Sequence, residues 1–428
     1  MLKVQCLPDR IIVDVFIGQQ YNRHMKIRKA FKFKLKPNQQ QWLQLNEIAG
    51  GCRFVWNKML RLNLDRLQNK QYLIWYHEAD FFSKLWKLSN EYSFLKSIPA
   101  HCLQQKLKDL DKAFRDAFDK KQPLKRIPKF KKKNCGDSFR FPEPKHIDIN
   151  NRRIKFPKLG WMGFNQSQKM VGDIKNATIS RKNNEWFVSI QVEVENKITT
   201  AATSIVGIDL GVIQFATLSN GAIIKPINAF RKQEKRLAKA QKNLSRKIKF
   251  SQNWRKQKNN IQNIHSKITH KRQDFLHKTS TQLCKSHAVI VVEDLKISNM
   301  SHSAAGSIDL PGKNVKAKSG LNKSLLDQSF GEFKRQLGYK LNWNGGLLIE
   351  VNPQYTSQKC HVCGHTTKDN RKSQSEFACI KCYHTENADI NAAKNILAAG
   401  HAVLACGEIG LPSSMKQELL RNREKIAA

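Results

Sequence analysis

Basic and apolar residues alternate along "IRKAFKFKLK" (27–36), just before Pro37. A period of two puts the apolar set on one face and the cations on the other, which predicts a strand with one solvated side. From Gln39 to about Lys121 the spacing changes to three and four, as in "QQWLQLNEIAGGCRFVWNKMLRLNLDRL". That period predicts helices, with an interruption at Gly50-Gly51. Between Ser138 and Glu195 short alternating runs return ("SFRFP", "HIDINNRRIKFP", "ATISRKNNEWFVSIQVEVE"), separated by Asn150-Asn151 and Asn183-Asn184. They predict a small antiparallel barrel or sheet. If the strand at 27–36 pairs into it, the helical stretch is an insertion.

At Ser204 the pattern changes again. "SIVGIDLGVIQFATLSNGAIIKPI" reads as a strand, a tight turn and a returning strand. "AVIVVED" (288–294) and "LLIEVNPQYTSQ" (347–358) are apolar enough for buried strands. Between them lie a loop, "HSAAGSIDLPGKNVKAKSG", and an amphipathic helix, "LNKSLLDQSFGEFKRQLGYKLNWNGG". No Gly or Pro occurs from Ile227 to Ala305. Two long helices are expected there, with thin apolar stripes at Leu237, Leu244 and Ile248 and at Ile261, Ile264 and Ile268. Strands alternating with helices predict an α/β layer.

Charge sharpens this picture. The 428 residues carry 76 Lys+Arg against 34 Asp+Glu, a net charge of +42, and are 40% hydrophobic. The chain is globular, and the excess points to a polyanion, nucleic acid first. The stretch Arg231–Arg272 holds fifteen basic residues and one acid, Glu234. A solvated helix face normally mixes both signs, so Arg236, Lys239, Arg246 and Arg255 are candidate phosphate contacts. The proline-broken linker "KKQPLKRIPKFKKK" adds Lys125, Arg126, Lys129, Lys131 and Lys132. A membrane role is disfavoured, since "AVIVV" is far short of a span. The N-terminus is no signal peptide, because Asp14 interrupts its apolar run. Residues 1–24 read as an extension ahead of Met25, a second natural start.

Four of the ten cysteines form two pairs, Cys360/Cys363 and Cys379/Cys382, fifteen residues apart. That is the spacing of a zinc ribbon, a closed four-thiolate site that is structural rather than catalytic. His361, His365 and His384 lie nearby, but a four-Cys set needs none of them. Cys6, Cys52, Cys102, Cys135, Cys284 and Cys406 are scattered. With no secretory signal, a reducing compartment without disulfides is expected.

Three acids stand in apolar surroundings: Asp209 in "VGIDLGV", Glu293 in "AVIVVED" and Asp389 before "INAAKNIL". Each has an ordinary explanation: a turn residue, a solvated strand end and a helix N-cap. Together, in a strongly basic chain, they suggest carboxylates converging on a pair of Mg2+ ions. Glu386 and Asn391 flank Asp389 as candidate outer ligands.

These residues resemble the TnpB family of RNA-guided nucleases encoded by insertion sequences. The resemblance runs from about residue 25 to 400. It rests on "CRFVWNKML", "GIDLGVIQFATLSNG", "VVEDLKISNM", "LLDQSFGEFKRQLGYK" and "VNPQYTSQKCHVCGH" with "FACIKCYHTENADINAAKNIL". It implies a mixed α/β multidomain chain. Its parts are a β-barrel wedge (25–37 and 134–198), a helical recognition region with the basic linker (38–133), an RNase H-like, RuvC-like nuclease domain (199–355 and 385–400), an inserted zinc ribbon (356–384) and a C-terminal tail (401–428). It also implies a guide RNA from the transposon end, double-stranded target DNA beside a short flanking motif, and two Mg2+ and one Zn2+ as cofactors. The catalytic acids carry over to Asp209, Glu293 and Asp389. The expected form is a monomeric or weakly dimeric ribonucleoprotein in the prokaryotic cytoplasm, near the nucleoid. The alternatives are a nuclease-inactive RNA-guided or DNA-binding regulator, and a transposase acting directly in recombination.

Overall fold

The computed structural model describes residues 25–133, 136–196, 204–307 and 309–406. They fall into two units, Met25–Asn196 and the chain from Lys197 onward. The extension 1–24, Cys6, Cys135 and residues 407–428 lie outside the described residues.

The first unit opens with β1 (Met25–Lys36), whose Ile27, Phe33 and Leu35 are buried as the alternation requires. Helix α1 (Gln39–Gln68) follows. The Asn38 side chain accepts the Gln41 N–H at 2.8 Å, and the Gln41 side chain accepts the Asn38 N–H at 3.2 Å. This reciprocal cap starts the helix. The expected break at Gly50-Gly51 does not occur, and the helix runs straight through both glycines. A Cβ on Gly51 would sit 1.8 Å from Ile98 Cδ1. The glycine therefore admits a neighbouring segment, and burial of Leu45, Ile48, Cys52 and Val55 outweighs its poor helix propensity of about 1 kcal/mol. Helices α2 (Tyr76–Leu88) and α3 (Ala100–Phe118) complete the helical part.

Six strands follow: β2 (Ser138–Phe141), β3 (Asp148–Asn150), β4 (Arg153–Phe156), β5 (Gly160–Asn165), β6 (Asp173–Lys182) and β7 (Glu185–Asn196). The sheet order is β2-β6-β7-β1-β5-β4-β3, with every pair antiparallel. Its edge strands β2 and β3 do not pair with each other, so the expected barrel is an open half-barrel. β1 lies in its middle, and the helices sit in sequence between two of its strands. Asn183 and Asn184 (φ 48° and 63°) make the two-residue turn between β6 and β7. The β3–β4 turn falls one residue later than expected, at Asn151-Arg152 (φ 44° and 61°).

The second unit contains β8 (Ile205–Asp209), β9 (Ala216–Leu218), β10 (Ile223–Ile224), α4 (Glu234–Ser245), α5 (Gln252–Ser286) and β11 (Val289–Glu293). Then come α6 (Ile297–Met300), α7 (Val315–Gln328), α8 (Phe330–Asn344), β12 (Leu347–Val351), β13 (Glu376–Ala378), β14 (Thr385–Asn387) and α9 (Ala388–Cys406). The main sheet has the order β10-β9-β8-β11-β12. β8, β11 and β12 are parallel, while β9 returns antiparallel beside β8.

Strand alternation splits the core into two layers. Val206, Ile208, Ile290 and Val292 pack with Leu276 and Leu283 of α5 and Phe333, Leu337 and Leu341 of α8. Val289, Val291, Ile349 and Val351 face the other way, onto Ile396 and Leu404 of α9. A Cβ on Gly207 would meet the Ala393 carbonyl oxygen at 2.3 Å, and one on Gly400 would meet Val291 at 2.4 Å. These two glycines let α9 lie almost on the sheet.

Two expectations change here. The single helix predicted after the 302–320 loop begins earlier, at Val315, and divides into α7 and α8 at Ser329 (φ 57°, ψ 45°). Buried Asp327 explains the division: it accepts the Phe230 N–H at 3.0 Å and Arg272 Nη2–H at 2.6 Å, tying α7 to the base of the α4–α5 hairpin. α8 instead turns onto the sheet. In the hairpin, Leu237, Ala240, Ile264 and Ile268 are buried together, but Ile248 is 83% exposed. It lies in the connection between α4 and α5, where the helical period no longer applies.

Candidate metal sites

Period two carries each strand-end acid to a defined face. Asp209 lies two residues beyond Gly207, so it shares the face covered by α9. Glu293 lies two residues beyond Val291, on that same face. Asp389 is the second residue of α9, four before the Ala393 that touches Gly207. One end of a parallel pair of strands and the start of the covering helix therefore collect all three.

Electrostatics registers the gathering. Burial first, then the charges of Glu293 and Asp389, push the Asp209 carboxyl up to about 7. Burial raises Glu293, opposed by the Thr356 hydroxyl, which donates to its Oε1 at 2.6 Å. Burial raises Asp389, opposed by Arg371, whose Nη2 lies 3.8 Å from Asp389 Oδ1. Three half-buried carboxylates that resist ionisation together, with one guanidinium at their edge, form a hard-oxygen donor set suited to Mg2+. They are not among the described groups whose ligand atoms all lie within 4.8 Å of one another. The N-cap reading of Asp389 fails, because Asn387 Oδ1 accepts the Asp389 and Ile390 N–H groups at 3.0 and 3.3 Å.

The cysteine pairs do meet that criterion, and all four sulfurs lie within 4.8 Å of one another. Cys360 and Cys382 Sγ are 3.7 Å apart, and Cys363 and Cys379 Sγ 3.5 Å apart. Those separations far exceed the ~2.05 Å of a disulfide. They approach the ~3.8 Å edge of a tetrahedron with ~2.3 Å metal–sulfur bonds. The two knuckles are built alike. Cys360 N–H donates to His365 O and Gly364 N–H to Cys360 O; Cys379 N–H donates to His384 O and Tyr383 N–H to Cys379 O, all at 2.9–3.0 Å. Gly364 (φ 75°) and Tyr383 (φ 59°) occupy the same left-handed position.

Glu386 and Asn391 do not turn toward the acids. Glu386 Oε2 lies 3.5 Å from His361 Nδ1 and 3.7 Å from His384 Nε2, while its other oxygen pairs with Lys394. Asn391 is fully buried and bonded to Lys359 O and His361 N. Sequence patterning assigned no role to Thr356, although it lies within the quoted "VNPQYTSQ" stretch, or to Arg371, which belongs to no period.

Of the linker cations, Lys125, Arg126, Lys129 and Lys132 are exposed. Lys131 is turned inward, a correction to its expected role. Its ammonium lies 3.5 Å from the Trp56 ring centre, and its backbone exchanges hydrogen bonds with the Asn57 amide. Burial and the nearby Lys106 charge push it down to about 8. Arg236, Lys239, Arg246 and Arg255 are exposed on the hairpin. No helix among the described residues is long and apolar enough to cross a membrane.

The fold is similar to that of a solved Cas12f1 structure. A Cas12f1 chain from a cryo-EM complex with single-guide RNA and target DNA aligns over 87% of this chain and 98% of its own, with TM-score 0.53 and 13% identity. Family models described as "Probable transposase" and "Cas12f1-like, TNB domain" match residues 189–304 and 330–396. A "Helix-turn-helix domain" model matches residues 25–71, which here form β1 and the single helix α1. "Putative RNA-guided DNA endonuclease InsQ" of Escherichia coli (strain K12) is 49% identical over 399 residues, covering 92% of this chain and 98% of that protein. "Putative RNA-guided DNA endonuclease" of Streptomyces pristinaespiralis is 30% identical over 407 residues, covering 92% and 96%. The chain belongs to the TnpB family.

Proposed function

We propose that the chain is an RNA-guided, Mg2+-dependent DNA endonuclease of an insertion sequence, with Asp209, Glu293 and Asp389 as its catalytic acids. The observation that carries the reading is their convergence at the strand ends under α9, with Asp209 held up at about 7 by burial and then by the charges of Glu293 and Asp389. A central parallel trio of strands, an antiparallel neighbour and helices on both faces support an RNase H-like, RuvC-like core for 199–355 and 385–400. The 356–384 segment is the zinc ribbon of this reading, and its sulfur spacing suits a tetrahedral Zn2+. The half-barrel corresponds to the wedge (25–37 and 134–198) and α1–α3 to the recognition region (38–133), with 401–428 as the tail.

The three carboxylates would hold two Mg2+ ions, which when bound neutralise charge on the scissile phosphate and favour an attacking water. Thr356 orients Glu293 and favours its ionised form against the effect of burial. Arg371 likewise favours the charged form of Asp389 against burial. The exposed cations of the α4–α5 hairpin and the linker supply phosphate contacts without sequence preference. A guide RNA from the transposon end supplies specificity by base pairing, and the protein reads only a short flanking motif in the duplex. Cutting at emptied donor sites then supports maintenance of the element.

The test is cleavage of a target plasmid by the protein–guide complex in Mg2+. Asp209→Ala abolishes cutting and retains RNA and DNA binding. Undiminished cutting by that variant sinks the site assignment. Binding without cutting by the unaltered chain identifies a regulator, and strand-transfer products identify a transposase.

A further inference from the structure

The ribbon meets the rest of its unit through a short series of hydrogen bonds made by buried side chains. Asn391 and Asn395 stand one turn apart on α9, 0% and 6% exposed. Asn391 Nδ2–H donates to Lys359 O at 2.9 Å, and its Oδ1 accepts the His361 N–H at 3.1 Å. Asn395 Nδ2–H donates to Lys359 O at 2.6 Å and to Thr356 O at 2.9 Å. The Thr356 hydroxyl, on a residue 9% exposed, then donates a hydrogen bond to Glu293 Oε1 at 2.6 Å. The same helix carries Asp389 at its second position, and Lys359 and His361 flank Cys360 of the cysteine cluster.

Buried amides of this kind are committed groups. The backbone carbonyls at 356 and 359 are each met by an asparagine side chain, and those buried amides have their own hydrogen-bonding groups satisfied by the contact. The entry to the first knuckle is therefore held in register with α9. One hydroxyl later, that register reaches Glu293, on another element and far away in sequence.

We propose that Asn391, Asn395 and Thr356 are positioning residues that couple the seat of the cysteine ribbon to two of the three carboxylates, Asp389 and Glu293. This rests on the endonuclease reading above. The ribbon then does more than hold itself together: a closed metal site with no open position sets the spacing of a second, open one. A hydrogen bond to a charged group is worth enough that losing it costs on the order of tenfold in metal affinity or rate.

The experiment uses the full chain with its guide RNA and compares Thr356→Val, Thr356→Ser and Asn395→Leu. Mn2+ binding to the complex is read by electron paramagnetic resonance, alongside cleavage rate, zinc content and target-DNA affinity. Thr356→Val is expected to weaken Mn2+ binding and slow cleavage about tenfold. Thr356→Ser, which keeps the hydroxyl, stays within about twofold of the unaltered chain on the same scale. Both retain zinc and bind DNA normally. Asn395→Leu follows Thr356→Val if it folds, and Thr356→Val decides alone if it does not. Unaltered Mn2+ affinity and cleavage in Thr356→Val overturn the proposal. If Asp209→Ala is inactive while Thr356→Val cuts normally, only the coupling fails; if Asp209→Ala still cuts, the site reading itself fails.

Discussion

In Mg2+-free buffer at pH 8, Asp209 carries a charge that burial and two neighbouring carboxylates oppose. Asp209→Asn removes that charge and keeps the size of the side chain. The carboxyl sits at about 7 against an ordinary value of 3.8. That gap corresponds to ~4 kcal/mol of unfavourable charge in the folded state, at ~1.36 kcal/mol per tenfold in proton affinity. Water at the open side of the site and the burial of the new amide offset part of it, so a net gain of about 2 kcal/mol is expected.

The direction with pH follows from the raised value. Between 3.8 and about 7 the folded chain binds more protons than the unfolded one, so stability falls as pH rises through that window. The advantage of the Asn variant is full above about 7 and drops to under half by about pH 5. Calorimetric melting of the zinc-loaded protein checks this. For a unit of this size ~2 kcal/mol raises the midpoint by about 4–8 °C. Adding Mg2+ reverses the order, since only the unaltered site gains stability from the ion. A variant that melts at or below the unaltered chain at pH 8, or an advantage undiminished at pH 5, refutes the reasoning.

Two other changes test the surroundings of the site. Arg371→Ala removes the cation that lowers Asp389 and Asp209, so the acid limb of the pH–rate profile should move to higher pH with zinc content unchanged; an unmoved limb rules out its role. Gly207→Ala puts a methyl 2.3 Å from the Ala393 carbonyl oxygen and 2.7 Å from the Leu397 nitrogen, both backbone atoms. Lifting α9 to make room should cost ~3 kcal/mol in urea unfolding, together with most of the cleavage activity, and a loss under ~1 kcal/mol would show that the contact is not needed.

Local chemistry was legible from residue order alone. Alternation marks β1, and apolar runs mark β8, β11 and β12, because a strand shows its burial two residues at a time. An acid at the end of such a run is an anomaly in the pattern, and that singles out Asp209 and Glu293. The cysteine spacing is equally local, since each knuckle closes on its own backbone.

Contacts between distant segments were decided only by the tertiary structure. Gly51 looks like a helix breaker until Ile98 fills the space above it. Ser329 looks like a mid-helix residue until Asp327 is drawn to Phe230 and Arg272. Lys131 looks like a phosphate ligand until it folds over Trp56. Asp389 looks like a helix cap until Asn387 takes that position, and Thr356 and Arg371 look like loop residues until they reach Glu293 and Asp389. In each case the deciding partner is far away in sequence or leaves no periodic trace. Hydrophobic period reports which face of an element is buried, not which polar group will be waiting there when the chain closes.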